Sequence, residues 1–208
     1  LKAQGRSPAT IARKLAAIKA FYRFLAAERY IKVDPAEVIE AAKKGLHLPK
    51  VLSVEEIETL LDEPNLGTLE GYRDRTMLEV LYATGMRVSE LVSVPVSSVN
   101  LQMQYLIAFG KGNKERTVYL NDACVAALEQ YIPERNKYKG EGDGPLFVSQ
   151  KGTRFTRQTV AKIVKQINHA SVHKDKLTPH KLRHTSATMM YKAGADIRSL
   201  QHILGHSS

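Results

Sequence analysis

The chain has a single cysteine, Cys124, and no tryptophan. One thiol cannot close an internal disulfide, and it excludes any zinc site built on several cysteines. That usage fits a reducing compartment, and the cytoplasm is the expected location. No apolar run approaches the roughly 18 residues that a membrane-spanning helix needs, so no membrane partner is expected. Acid is also scarce: 21 Asp and Glu stand against 31 Lys and Arg, a formal net charge of +10. A surface of that sign attracts polyanions, nucleic acid above all. Low-complexity tracts and repeats are missing, and 43% of the 208 residues are apolar. That is enough for a sizeable core, spread over one or two domains. The first residue is Leu1 rather than Met, so a fragment of a longer chain is expected.

The positive charge is uneven. Residues 1–48 hold ten Lys and Arg against four Asp and Glu, or +6, and the other 160 residues carry only +4. The first part reads as helical. Ser7 suits the N-cap and Pro8 the first helical position. Apolar residues then recur at helical spacing through Ile11, Leu15, Ile18, Phe21 and Leu25, to about Tyr30. Asp34-Pro35 predicts a second helix with Val38, Ile39 and Ala42 on its apolar side. "KKGLHLPKVLS" reads as a linker, which divides the chain into 1–48 and 49–208.

In the second part, Ser53 and Glu56 form a capping box before Ile57, Leu60 and Leu61. A longer helix is expected over 72–84, stopped by Gly85, with a short one in "MRVSELVSV". Residues 105–110 (YLIAFG) and 115–120 (ERTVYL) read as two strands joined by "KGNK", a hairpin. Helices follow at 121–133, 157–168, 178–193 and 196–204, with Asp196 capping the last. The fold class is therefore mainly α with a small antiparallel β-sheet (α+β).

Chemistry concentrates at "LTPHKLRH". Thr178 suits the N-cap and Pro179 the first position, so His180 and Arg183 share a face of the opening turns. That end of a helix already presents free N–H groups and a positive dipole. Adding cationic side chains is unfavourable unless an anion docks there, and a phosphate is the natural candidate. Alone, the pattern is more often a solvated basic helix start. Three other places add to it: Arg87 after the helix stop in "ATGMRVSEL", Lys111 and Lys114 in the hairpin "FGKGNKERTVYL", and His206 in "LQHILGHSS". A phosphate-cradling P-loop is excluded, because its Gly-x-x-x-x-Gly-Lys pattern is missing.

Taken in order, "ATGMRVSEL", "GKGNKERTVYL", "TPHKLRHTSAT" and "LGHSS" resemble the tyrosine recombinases, the family of phage integrases and Xer resolvases. "YATGMRVSELVSV" and "GKGNKER" are most similar to the Xer branch. The resemblance implies a helical core-binding domain in 1–48, a DNA clamp, followed by a catalytic domain from 49. It implies that Arg87 and Arg183 grip the scissile phosphate and that Lys111 protonates the leaving 5′-oxygen. His180 becomes a phosphate contact and proton-transfer partner, His206 the histidine of the "LGH" motif, and Glu90 an acidic support behind them. The family's nucleophile is a tyrosine roughly nine residues past that motif. The 208 residues end two positions after His206, and none of the nine tyrosines follows it. The expectation is a catalytic domain truncated before its nucleophile and inactive without it.

The implied partner is double-stranded DNA, held at two sites by a homo- or hetero-tetramer, with no cofactor and no metal. Arg6, Arg13, Lys14 and Lys19 are further candidate DNA contacts, with Lys114. So are Arg154 and Arg157, which flank Phe155; that phenylalanine reads equally well as core. Other readings stay open. A type IB topoisomerase shares the same chemistry, and a DNA-binding module needs none of it. His180/His184 and His202/His206 have a zinc-compatible spacing, but no HExxH accompanies them.

Overall fold

The structure is a computed structural model and describes residues 4–40, 51–110, 115–140, 142–171 and 177–205, without the side chain of His202. It contains two compact units, Leu1–Pro49 and Lys50–Ser208.

In the first unit, helix α1 spans Pro8–Ala27, and the Ser7 hydroxyl accepts from the Thr10 N–H. Its Phe21 and Phe24 are exposed. The helix expected from Asp34 does not form over the described residues. Asp34 Oδ1 accepts the Ala36 N–H at 2.8 Å, and the carbonyls of Asp34 and Ala36 accept from Glu37 and Ile39 in i→i+3 turns. A carboxylate that captures a nearby N–H competes with the helical ladder. The intended apolar face gains no burial either, since Val38 is 86% exposed. Ala42 and the linker lie outside the described residues.

The second unit is mostly helical with a small antiparallel sheet, as expected. Helix α2 (Val54–Asp62) has the complete capping box of Ser53 and Glu56. Helix α3 (Leu69–Thr84) starts three residues before the expected Tyr72, because Thr68 accepts from the Gly71 N–H and caps it there. It is buried around most of its circumference, Met77, Leu78, Val80 and Leu81 together with Arg73, Thr76 and Glu79, as suits a central helix. It packs against α5 (Asp122–Lys139) and α7 (Pro179–Lys192). The short α4 (Val88–Leu91) follows Gly85. Helix α5 runs past the expected end at Pro133, with buried Tyr131 and Arg135 on either side of that residue. Proline removes one ladder bond, and burial on both sides outweighs the loss. Helices α6 (Arg157–Ala170) and α8 (Ile197–Leu204) complete the set.

The sheet is antiparallel in the order β1 (Val99–Asn100), β2 (Tyr105–Phe109), β3 (Glu115–Tyr119). β1 was not legible, since two residues carry no period. Leu106 faces Val118 and Ala108 faces Arg116. Leu106, Ala108 and Val118 are buried, so this face of the hairpin points inward. The turn "KGNK" lies outside the described residues. No described helix is long and apolar enough to cross a membrane.

Candidate active site

The site begins where α3 stops. Gly85 takes the left-handed conformation (φ 57°) and turns the chain. Arg87 then occupies the N-cap of α4, and three residues on Glu90 reaches back. The Arg87 backbone N–H donates to Glu90 Oε2 at 2.8 Å, and Arg87 Nη1 donates to Glu90 Oε1 at 3.1 Å. Glu90 is only 3% exposed. Burial alone would raise its pKa, but the Arg87 backbone N–H, the Arg116 guanidinium and the Arg87 guanidinium together hold it below the ordinary carboxylate value. It is therefore an anion at neutral pH, and it fixes the Arg87 side chain, which is itself 43% exposed.

Arg183 projects from the second turn of α7 and is buried. Its Nη1 donates to the carbonyl of Gly85, and its Nη2 donates to that of Leu204 at 2.7 Å. Burial first, then the nearby Arg87 and Arg116 charges, push its pKa down to about 10, with Glu90 opposing. Arg116 on β3 completes the group. Its Nη2 donates to Glu90 Oε2 at 2.9 Å, and its Nη1 donates to the Ile203 carbonyl. Arg87 Nη2 donates to the Gly205 carbonyl at 3.1 Å. Segments from α3–α4, β3, α7 and α8 thus converge on one place. Three guanidiniums there face one carboxylate, a local surplus of positive charge that an anion would relieve.

The structure brings Arg87, Glu90 and Arg183 together, and His180 is exposed in the first turn of α7. Lys111, Lys114 and His206 lie outside the described residues. Arg6, Arg13 and Lys14 are exposed, whereas Lys19 Nζ donates to the Glu37 carbonyl at 3.1 Å. Arg154 and Arg157 are exposed, and Phe155 between them is core, buried with Arg73 stacked 4.8 Å over its ring. Arg116 was missed in the sequence. The available signal was the alternation of "ERTVY", which puts Arg116 on the same inward face as Val118. Among the described residues no cluster of three His, Cys, Asp or Glu could hold a metal ion. Burial pushes the Cys124 thiol and the Tyr131 phenol each up to about 12, so neither ionises readily as a nucleophile.

Residues 50–208 match the family model described as the phage integrase family. The tyrosine recombinase XerD of Staphylococcus aureus is 44% identical over 206 residues, covering 98% of this chain and 70% of that protein. The crystal structure of XerA recombinase shares 32% identity with a TM-score of 0.71, over 94% of this chain and 67% of that one. XerH site-specific recombinase, in a post-cleavage complex with its palindromic difH substrate, shares 26% identity with a TM-score of 0.82. That match covers 99% of this chain and 62% of XerH.

Proposed function

The chain belongs to the phage integrase family of tyrosine recombinases, and from that premise we propose that it carries the phosphate-binding machinery of a Xer-type site-specific recombinase. Such an enzyme cleaves and rejoins double-stranded DNA through a 3′-phosphotyrosine. The observation that carries this reading is the convergence of Arg87, Arg116 and Arg183, from three separate segments, on the end of α8, with the Glu90 carboxylate holding the first two.

A phosphodiester repels nucleophiles, and attack builds more negative charge on its non-bridging oxygens. Each guanidinium has five N–H donors. Two are engaged in Arg87 and two in Arg183, so further donors can meet those oxygens and offset the charge without a metal. A tyrosine following residue 208 attacks phosphorus, the P–O5′ bond breaks, and the leaving 5′-oxygen takes a proton from Lys111. His180 and His206 contact the phosphate and move protons. Rejoining reverses these steps, and the phosphotyrosine bond conserves the energy, so no ATP is needed.

In this reading residues 1–48 are part of a core-binding domain that clamps the duplex, and 49–208 are the catalytic domain up to its nucleophile. Strand exchange needs two duplexes, hence four protomers of one or two kinds. The enzyme acts in the cytoplasm, where its DNA lies.

The test uses the parent protein, extended past Ser208, with a duplex selected from a randomised pool and nicked near its cleavage point. Wild type should trap a covalent protein–DNA adduct on a denaturing gel. Arg87→Ala and Arg183→Ala should each slow its formation by about 10²–10³, as for loss of a donor to a developing oxyanion. If wild type binds the duplex but never becomes covalently attached, the proposal fails.

A further inference from the structure

Arg116 belongs to none of the residues assigned above to the phosphate or to proton transfer, and its placement is costly. Val118, two positions on, is buried, and the cross-strand partner Ala108 is fully buried. Arg116 therefore occupies an inward-facing strand position, where an apolar side chain would normally sit. A cation there is tolerated only if it is well paired.

Its pairing is specific. Nη1 donates to the Ile203 carbonyl and Nη2 to Glu90 Oε2. Arg183 donates to the Leu204 carbonyl and Arg87 to the Gly205 carbonyl. Three arginines from three elements thus hold three successive carbonyls at the end of α8. Carbonyls at a helix's C-terminal end have no N–H of their own helix to accept from and carry the negative end of its dipole. The fit is close: a Cβ on Gly205 would lie 3.1 Å from Arg116 Nε. That Nε is itself buried with no hydrogen-bond partner among the described residues. Arg116, like Arg87, touches both Glu90 and the end of α8, and it does so from the hairpin.

We propose that Arg116 is a positioning residue for recombination: it fixes the last turn of α8 and, through Glu90, the Arg87 guanidinium, and so sets the geometry of the phosphate site. This rests on the recombinase reading above. Arg116 itself does not touch the phosphate. Its loss leaves DNA binding in place but lets Arg87 and the last turn of α8 drift from the reacting geometry.

The test measures single-turnover adduct formation by the parent protein extended past Ser208, for wild type, Arg116→Ala and Arg116→Lys. Lysine keeps the charge and the aliphatic stem, and serves if the alanine variant unfolds, but one ammonium cannot reproduce the two-ended fork. Both variants should cleave about 10–100-fold more slowly, the range for residues that orient a site's direct ligands. Duplex affinity in a gel shift should stay at the wild-type value. Adding Glu90→Gln to either variant should slow it no further, because both changes break one network. A duplex with sulfur replacing the 5′-bridging oxygen should not restore the rate, since its thiolate leaves without a proton and leaving-group protonation is not the damaged step. Wild-type cleavage by both variants would overturn the proposal. Rescue by the sulfur duplex would also overturn it, moving the role of Arg116 to Lys111. If wild type itself forms no adduct, the recombinase reading fails first, which separates the two.

Discussion

Glu90 receives a backbone N–H and two guanidiniums while almost fully buried, so its charge state sets the order of the site. Its folded pKa lies below that of an unfolded glutamate, about 4.3. The stabilisation is therefore fully present above that value and is lost as pH falls through the depressed folded pKa. Glu90→Gln should lower stability at pH 7 by roughly 1.5–3 kcal/mol, the loss of a hydrogen bond to a charged group. The gap between wild type and variant should shrink steadily as the pH is taken below about 4.3. Thermal unfolding of both proteins across pH checks this, and a gap independent of pH would contradict it. Arg87 and Arg183 stand out in the sequence beside a helix stop and a helix start, but their roles, and the choice of Glu90, came from the family resemblance. Arg116 could not be singled out, because strand alternation marks a position as inward without revealing what waits there.

At the scale of elements, the helix stop at Gly85 does more than end α3. Its carbonyl accepts from Arg183, its φ is positive, and an added Cβ would come within 2.7 Å of Leu204 Cδ2. Gly85→Ala should cost about 1–3 kcal/mol from the backbone conformation alone, and it should also push α8 away from the arginines. A lower urea midpoint at unchanged slope, together with slower DNA cleavage than the stability loss explains, is the expected pair of results. The capped helices α2, α7 and α8 were legible to within a few residues, because Ser53, Thr178 and Asp196 each announce their own turn. Three elements differ from the sequence expectation for local reasons. Thr68 started α3 early, burial carried α5 past Pro133, and the Asp34 carboxylate diverted the chain from a helix.

At the scale of the whole molecule, the charge of +10 bears on DNA affinity rather than on fold. Arg13 and Lys14 are exposed on α1. If both meet DNA phosphates, replacing them with Gln should weaken binding on all sequences alike. It should also flatten the plot of log affinity against log salt by about 2, close to 0.9 per phosphate contact. A filter-binding titration at several salt concentrations measures that slope, and an unchanged slope would take both residues off the DNA.

The sequence by itself determined the helical character, the caps, the hairpin and the identity of the cationic motifs. Each of these is written in a few neighbouring residues, where period and capping chemistry act locally. Only the tertiary structure decided that Arg87 and Arg116 share the Glu90 carboxylate and that, with Arg183, they hold three successive carbonyls at the end of α8. That arrangement joins positions more than a hundred residues apart, and it depends on how α3, α7, α8 and the hairpin pack. No local rule carries such information, because burial around a common core is what brings those positions to the same point.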